Sequence, residues 1–243
     1  MKKVAVGCLL ALGLLVAVLI LVPVIIIATS GPADRSVLHL KIQGTILEER
    51  PDDFLSQLFM KKTATFRDYL DALKKAGSDD QITGLFIEVG GSSLGWGKVQ
   101  ELRDGIQAFR DQGKWTAAFM ETAGEFSPGG LTYYLATACD EIFLAPPGLL
   151  NLIGLHAEIP FIRGTLDKLK IYPDMDAIGE YKTFKNTFTE TGFTPTHRES
   201  VESLLDSLYG QLLEGIAMER GMEEAELAKT IDHGPFLASE AVE

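Results

Sequence analysis

From Ser36 onward, short apolar runs alternate with longer stretches of helical spacing, and this alternation limits the fold more than any single motif does. "SVLHLKIQGTI" carries Val37, Leu38, Leu40 and Ile42 ahead of a glycine and reads as a buried strand. "TFRDYLDALKKAGSDD" sets Phe66, Tyr69, Leu70 and Leu73 on one helical face, with Gly77 as the stop. Next come the strand "ITGLFIEV", the glycine-rich "GGSSLGWGK", the helix "VQELRDGIQAFRDQG", the strand "KWTAAFM", the loop "ETAGEFSPGG", a helix through Cys139 and the strand "EIFLAP". "FIRGTLDKLKI" reads as a helix, "PDMDAIG" as a short strand, and a long helix is expected from about Pro195 to Gly221. Strands separated by helices of this length require crossover connections, so the fold class is α/β, with a mainly parallel sheet covered on both faces. In such sheets sites form at the carboxyl ends of strands, which singles out the loops beginning at Gly90, Glu121 and Gly179.

The N-terminus has a different character. Behind Lys2 and Lys3, no charge occurs from Val4 to Ser30. A helix of that length exceeds the roughly 30 Å hydrocarbon core of a bilayer, and Pro23 is tolerable in such a span. A cleaved signal normally has a shorter apolar core and a small-x-small cleavage site. The expectation is therefore an uncleaved signal anchor, with residues 1–30 forming a cytoplasmic stub and a transmembrane helix over residues 4–29. Residues 31–243 then form one domain on the non-cytoplasmic side of the cytoplasmic membrane. The 243 residues are 46% hydrophobic, enough for that anchor and one domain with a proper core. Net charge is −12, from 22 Lys and Arg against 34 Asp and Glu, a balance that argues against a nucleic-acid partner. Cys8 lies in the anchor and Cys139 in the domain, so the two cannot plausibly meet; "AVGC" has too little apolar sequence before it for a lipid-attachment site.

The glycine-rich loop fails as a nucleotide site. Gly97-Lys98 is followed by Val99 rather than Ser or Thr, Ser92 stands where a phosphate loop needs glycine, and Gln100 stands where a dinucleotide fingerprint needs its third glycine. Two readings stay open, a plain tight turn and a turn whose amides face a developing anion. Metal and cofactor chemistry have no support: His39, His156, His197 and His233 are scattered, and neither H-E-x-x-H nor paired C-x-x-C occurs. No G-x-S-x-G elbow announces a Ser-His-Asp triad. Ser127 sits in a loop feeding a helix N-terminus and is a weak nucleophile candidate, Ser127-Pro128 more often being a helix cap. What remains is "GEYKTFKN", where Lys182 and Lys185 form either a solvated stripe or a site with one lysine acting as base. A lysine base must fall from about 10.4 towards 7–8, which takes desolvation or a nearby cation. Tyr181 and Phe184 are expected to supply an apolar wall for Lys182, while Lys185 stays wet.

"YYLATACDEIFLAPPGLLNLIG", "LDKLKI" and "GEYKTF", in that order and spacing, resemble the signal peptide peptidase A family (SppA). The resemblance runs from the anchor to the chain end. It implies a crotonase/ClpP-like fold and a membrane-anchored serine endopeptidase with a Ser/Lys dyad. Its substrates would be cleaved signal peptides or other membrane-derived peptides, and it would need no cofactor. The long form of the family has two related halves, the base lysine in the first and the nucleophilic serine in the second; this sequence looks like the first. Gly179, Tyr181 and Lys182 match the family's Gly-x-Tyr-Lys, making Lys182 the expected general base with Gly179, Tyr181 and Thr183 in support. The family's continuation, Lys-Ser-Ala and then Glu-Pro-Phe, is replaced here by "KTFKNTF". The nucleophile position, counted back from Tyr133-Tyr134, is Gly130, so the resemblance places the nucleophile outside this half. In "FLASEAVE", Ser239 reads as an N-cap with no helix after it, which suggests a chain cut short and inactive alone. A homo-oligomer that completes the site is expected. The alternative is a non-catalytic membrane-anchored scaffold on the same fold; an acyl-CoA enzyme would fit the glycine loop but not the anchor.

Overall fold

The computed structural model describes residues 15, 17–22, 31–49, 64–124 and 128–242. Residues 15 and 17–22 are helical and exposed. Among the described residues no helix is long and apolar enough to cross a membrane, and most of the expected span over residues 4–29 lies outside them.

Four strands, β1 (Ser36–Gly44), β2 (Ile82–Ser92), β3 (Trp115–Met120) and β4 (Glu141–Leu144), form a parallel sheet in chain order. Helices α1 (Phe66–Gly77), α2 (Trp96–Arg110) and α3 (Gly130–Ala136) make the crossovers. Strand order corrects one expectation. Right-handed crossovers that always step to the same side deposit every helix on one face. That face buries Leu40, Ile42, Leu85, Ile87, Ala118 and Met120 against Leu73, Leu102, Ile106 and Leu135. The opposite face, expected to be covered, exposes Val37, Trp115 and Phe143 and carries Lys41 in an ion pair with Glu88, whose carboxylate also lies 3.0 Å from His39 Nε2. Among the described residues, no reversal of strand order brings a helix to that side.

Local chemistry sets the element ends. Thr65 caps α1 by accepting from the Asp68 amide, while the Asp68 carboxylate accepts from the Thr65 amide. Lys114 Nζ donates to the carbonyls of Ala76 and Asp79 at 2.6 Å, closing the C-terminal end of α1. α3 ends at Ala136, so Cys139 lies beyond the helix expected to contain it. The Cys139 thiol is buried and pushed up to about 12, which leaves it inert.

The 26-residue helix α6 (Pro195–Arg220) starts and ends within a residue of its expected limits, with Thr194 as N-cap and left-handed Gly221 as stop. It packs Leu212 and Ile216 into the same core. Arg103 fastens α2, α3 and α6 together. Its buried guanidinium donates to the Tyr134 carbonyl, to Thr137 Oγ1 (2.8 Å) and to the Gly215 carbonyl (3.2 Å), and it lies 3.9 Å over the Tyr134 ring.

Between the sheet and α6 the chain is irregular. β5 (Leu149–Leu150) pairs antiparallel with β6 (Phe236–Leu237), and only the short helices α4 (Arg163–Lys168) and α5 (Asn186–Thr189) and the 3₁₀ turn Thr183–Lys185 interrupt residues 151–194. The expected strand "PDMDAIG" does not form. Pro173 has no N–H to give a ladder, no strand among the described residues pairs with the segment, and Ile178 is 94% exposed. After α7 (Glu224–Ile231) and β6, Ser239 precedes a single 3₁₀ turn, Glu240–Val242.

Asp140 ties β3 to the start of β4. Its carboxylate accepts from the Thr116 amide (2.8 Å), Thr116 Oγ1 (2.9 Å) and Arg110 Nε (2.9 Å). Partial burial pushes its pKa up, but the Thr116 hydrogen bonds and the Arg110 charge outweigh this and hold it below the usual carboxylate range. A carboxyl depressed in the folded state contributes stability above its unfolded value of about 3.9 and loses it as pH falls through the folded value. Asp140→Asn is therefore expected to lower the melting temperature at pH 7, and the gap to the wild type should narrow as pH is taken below about 4. Parallel melting curves at pH 7 and pH 3 check this.

Candidate active site

The carboxyl ends of β2 and β3 and the N-terminal turn of α3 enclose a cavity of about 380 Å³. Gly91 and Ser92 line it from the end of β2, where the first of the expected loops begins, Thr122 and Gly124 from the loop after β3, and Leu131 and Thr132 from α3. Two of the three loops singled out by the sequence thus converge. The loop beginning at Glu121 is held by backbone bonds: the Ala123 amide to the Leu149 carbonyl, the Asn151 amide to the Ala123 carbonyl, and the Gly129 amide to the Asn151 carbonyl, each 2.8 Å. Gly129 is compulsory here, since a Cβ would lie 2.1 Å from the Ala123 carbonyl oxygen.

Gly130, the nucleophile position implied by the resemblance, is the first residue of α3 and is buried. Among the described residues, a Cβ on Gly130 would meet only Leu212 Cδ2, at 3.9 Å, so they do not impose glycine there by crowding. Ser127 lies outside the described residues.

The third loop lies elsewhere. Gly179 follows no strand, and the hollow lined by Met175, Ile178, Tyr181, Lys182, Thr183 and Phe184 shares no lining residue with the cavity at the strand ends. Gly179 is left-handed, at φ 96°, a conformation that favours glycine. The Lys182 amide donates back to the Gly179 carbonyl at 3.2 Å. Lys182 is exposed and, among the described residues, its ammonium makes no ion pair. Tyr181 and Phe184, expected to wall it in, are 59% and 75% exposed. Lys185, expected to stay wet, is the more buried lysine, because the 3₁₀ turn Thr183–Lys185 runs straight into α5 and its buried Asn186. Thr183 is half-buried.

Sequence spacing did not reveal the frame around this turn. Tyr181 donates its phenolic proton to Glu199 Oε2 at 3.1 Å, a bond that raises the phenol above its ordinary range. Thr196 Oγ1 reaches the Glu180 carbonyl at 3.4 Å. Asn186 Nδ2 lies 3.4 Å from Thr194 Oγ1 and 3.5 Å from His197 Nδ1, and His197 is buried against Phe161 and Phe193. The histidines stand apart: His39 is on the bare sheet face, His197 in this aromatic cluster, and His233 on the Lys229 carbonyl.

The molecule is thus an α/β protein with loops gathered at the carboxyl edge of its parallel sheet and an exposed lysine on a separate, glycine-led turn. Residues 108–243, more than half of the chain, match peptidase family S49, and the protein belongs to that family. It is 28% identical over 83% of its length to the chloroplastic serine protease SPPA of Arabidopsis thaliana, 28% of which is covered. It is 26% identical over 79% of its length to Protease 4 of Salmonella typhi, 32% of which is covered. It is also similar to a putative signal peptide peptidase SppA of Enterococcus faecium, at 24% identity, covering 88% of this chain and 59% of the relative. The chain thus spans about a third or less of the first two relatives. The resemblance to SppA seen in the sequence is a family relationship.

Proposed function

We propose that this chain is the lysine-bearing part of a membrane-anchored serine endopeptidase that degrades cleaved signal peptides or other membrane-derived peptides. In this reading Lys182, as the neutral amine, takes the proton of a serine hydroxyl as its Oγ attacks the scissile carbonyl. The same amine returns the proton to the leaving nitrogen as the C–N bond breaks, and water then releases the acyl group. Residues 4–29 anchor the protein in the cytoplasmic membrane, and the domain from residue 31 works on the non-cytoplasmic side.

The observation that carries this reading is the setting of Lys182. It stands on a turn rich in uncovered apolar surface, with Ile178 94%, Tyr181 59% and Phe184 75% exposed. A body docked over that patch would strip water from the amine, the condition a lysine base requires. The same body would bring the serine that Gly130 does not supply, and a homo-oligomer of the intact protein provides such contacts. The replaced sequence after Lys182 and the glycine at position 130 favour a second reading, a membrane-anchored scaffold without catalysis. The two separate in one experiment. Detergent-solubilised full-length protein is treated with a fluorophosphonate and assayed on a signal-peptide substrate. Serine labelling with parallel loss of hydrolysis is expected; a protein that neither labels nor cleaves is the scaffold.

A further inference from the structure

Among the described residues the Lys182 ammonium makes no ion pair, yet the turn around it is fastened on both sides to one place. Two residues before it, the Glu180 carbonyl accepts from Thr196. One residue before it, Tyr181 donates to Glu199. Four residues after it, buried Asn186 meets Thr194 and His197. All of these partners fall between Thr194 and Glu199, at the N-cap and in the first turns of α6. The far end of α6 is locked to the core through Leu212, Ile216 and the Arg103 bond to Gly215. A rigid helix anchored in the core therefore carries the turn at its tip. The contacts to Thr194, Thr196 and His197 are long and serve as a seat. Tyr181 to Glu199 is the shortest of these side-chain bonds, charge-assisted and next in sequence to the lysine.

We propose that Glu199, acting through the Tyr181 hydroxyl, is a positioning residue for Lys182: it holds the turn at the tip of α6 so that the amine is presented at a fixed point to the serine. This rests on Lys182 being the general base. A base must be held within hydrogen-bond reach of the proton it takes, and a displacement of about 1 Å costs on the order of 100-fold. Tyr181→Phe removes only the hydroxyl, Glu199→Ala removes the acceptor, and Glu199→Gln keeps an acceptor oxygen.

The test uses the full-length protein in detergent, with kcat and KM on a signal-peptide substrate and melting temperature for each variant. Tyr181→Phe and Glu199→Ala are each expected to lower kcat by about 10- to 100-fold, with KM and melting temperature held. The double variant should be no worse than either single change, and Glu199→Gln should recover most of the loss. Additive losses, or losses that follow a fallen melting temperature, would overturn the proposal in favour of a merely structural bond. Normal kcat in Tyr181→Phe and Glu199→Ala beside an inactive Lys182→Ala would overturn the positioning role and leave the base assignment standing. An active Lys182→Ala would remove both. A second readout needs no turnover: after reductive ¹³C-methylation, the Lys182 resonance, identified by its absence in Lys182→Arg, should sharpen in Tyr181→Phe while that of Lys185 does not. An unchanged Lys182 line width would also overturn the proposal.

Discussion

Replacing Lys182 by alanine in the full-length protein is expected to reduce kcat/KM on a signal-peptide substrate by about 1,000-fold or more, with no change in thermal unfolding. The size follows from the role: a general base contributes on the order of 100- to 10,000-fold. The unchanged stability follows from the structure, because Lys182 is exposed and makes no ion pair among the described residues. Lys182→Arg should be equally inactive, since a guanidinium keeps its proton at any working pH. Lys185→Ala should cost far less activity; any penalty would appear in melting temperature, because Lys185 is itself half-buried where the turn leads into α5. Retained activity in Lys182→Ala, or equal damage from Lys185→Ala, would return the two lysines to a solvated stripe.

The adjacent glycines 129 and 130 should behave as opposites. Gly129→Ala would drive a methyl to 2.1 Å from the Ala123 carbonyl oxygen, 2.6 Å from its carbon and 3.1 Å from the Asn151 carbonyl oxygen. All three are backbone atoms in the bonded lattice that joins the loop to β5, and none can swing aside. A loss of about 3 kcal/mol is expected, the upper end for overpacking, and a fall in melting temperature of roughly 6–12 °C for a domain of this size. Among the described residues, Gly130→Ala meets only the Leu212 methyl, at ordinary contact distance, and it gains helix propensity, so it should be neutral or slightly stabilising. Equal melting temperatures for the two variants would show that the loop relaxes freely, and the account of Gly129 as compulsory would fail.

Much of this was legible in the sequence. The four sheet strands, their crossover helices and the limits of α6 follow from periodicity, caps and glycine stops, all of which act within a few residues. Strand order was not legible: a run such as "ITGLFIEV" looks the same whether its neighbours lie on one side or both, so the bare sheet face could not be anticipated. "PDMDAIG" misled because the alternation of elements called for a strand there, and alternation says nothing about whether a neighbouring strand exists to pair with it. At the site, Gly179, Tyr181 and Lys182 were legible as a motif, whereas the positive φ of Gly179 and the distance of its loop from the sheet were not. Glu199 and Thr196 were not, because they lie well over ten residues away and meet the turn only through the docking of α6. The relative wetness of Lys182 and Lys185 was read from nearest neighbours in sequence, whereas the turn of the backbone decides it.

The bare face of the sheet carries its own optical gauge. The chain has two tryptophans. Trp96 stacks on Tyr134 at 5.5 Å on the helical side, while Trp115 lies flat across Gly84 on the uncovered side and is 47% exposed. Their emission therefore divides by location: light from Trp96 reports the helical core, and light from Trp115 reports whether that face meets water. Acrylamide quenching of a Trp96→Phe protein would then follow Trp115 alone, and would show directly, in the membrane or out of it, when another surface settles on the sheet.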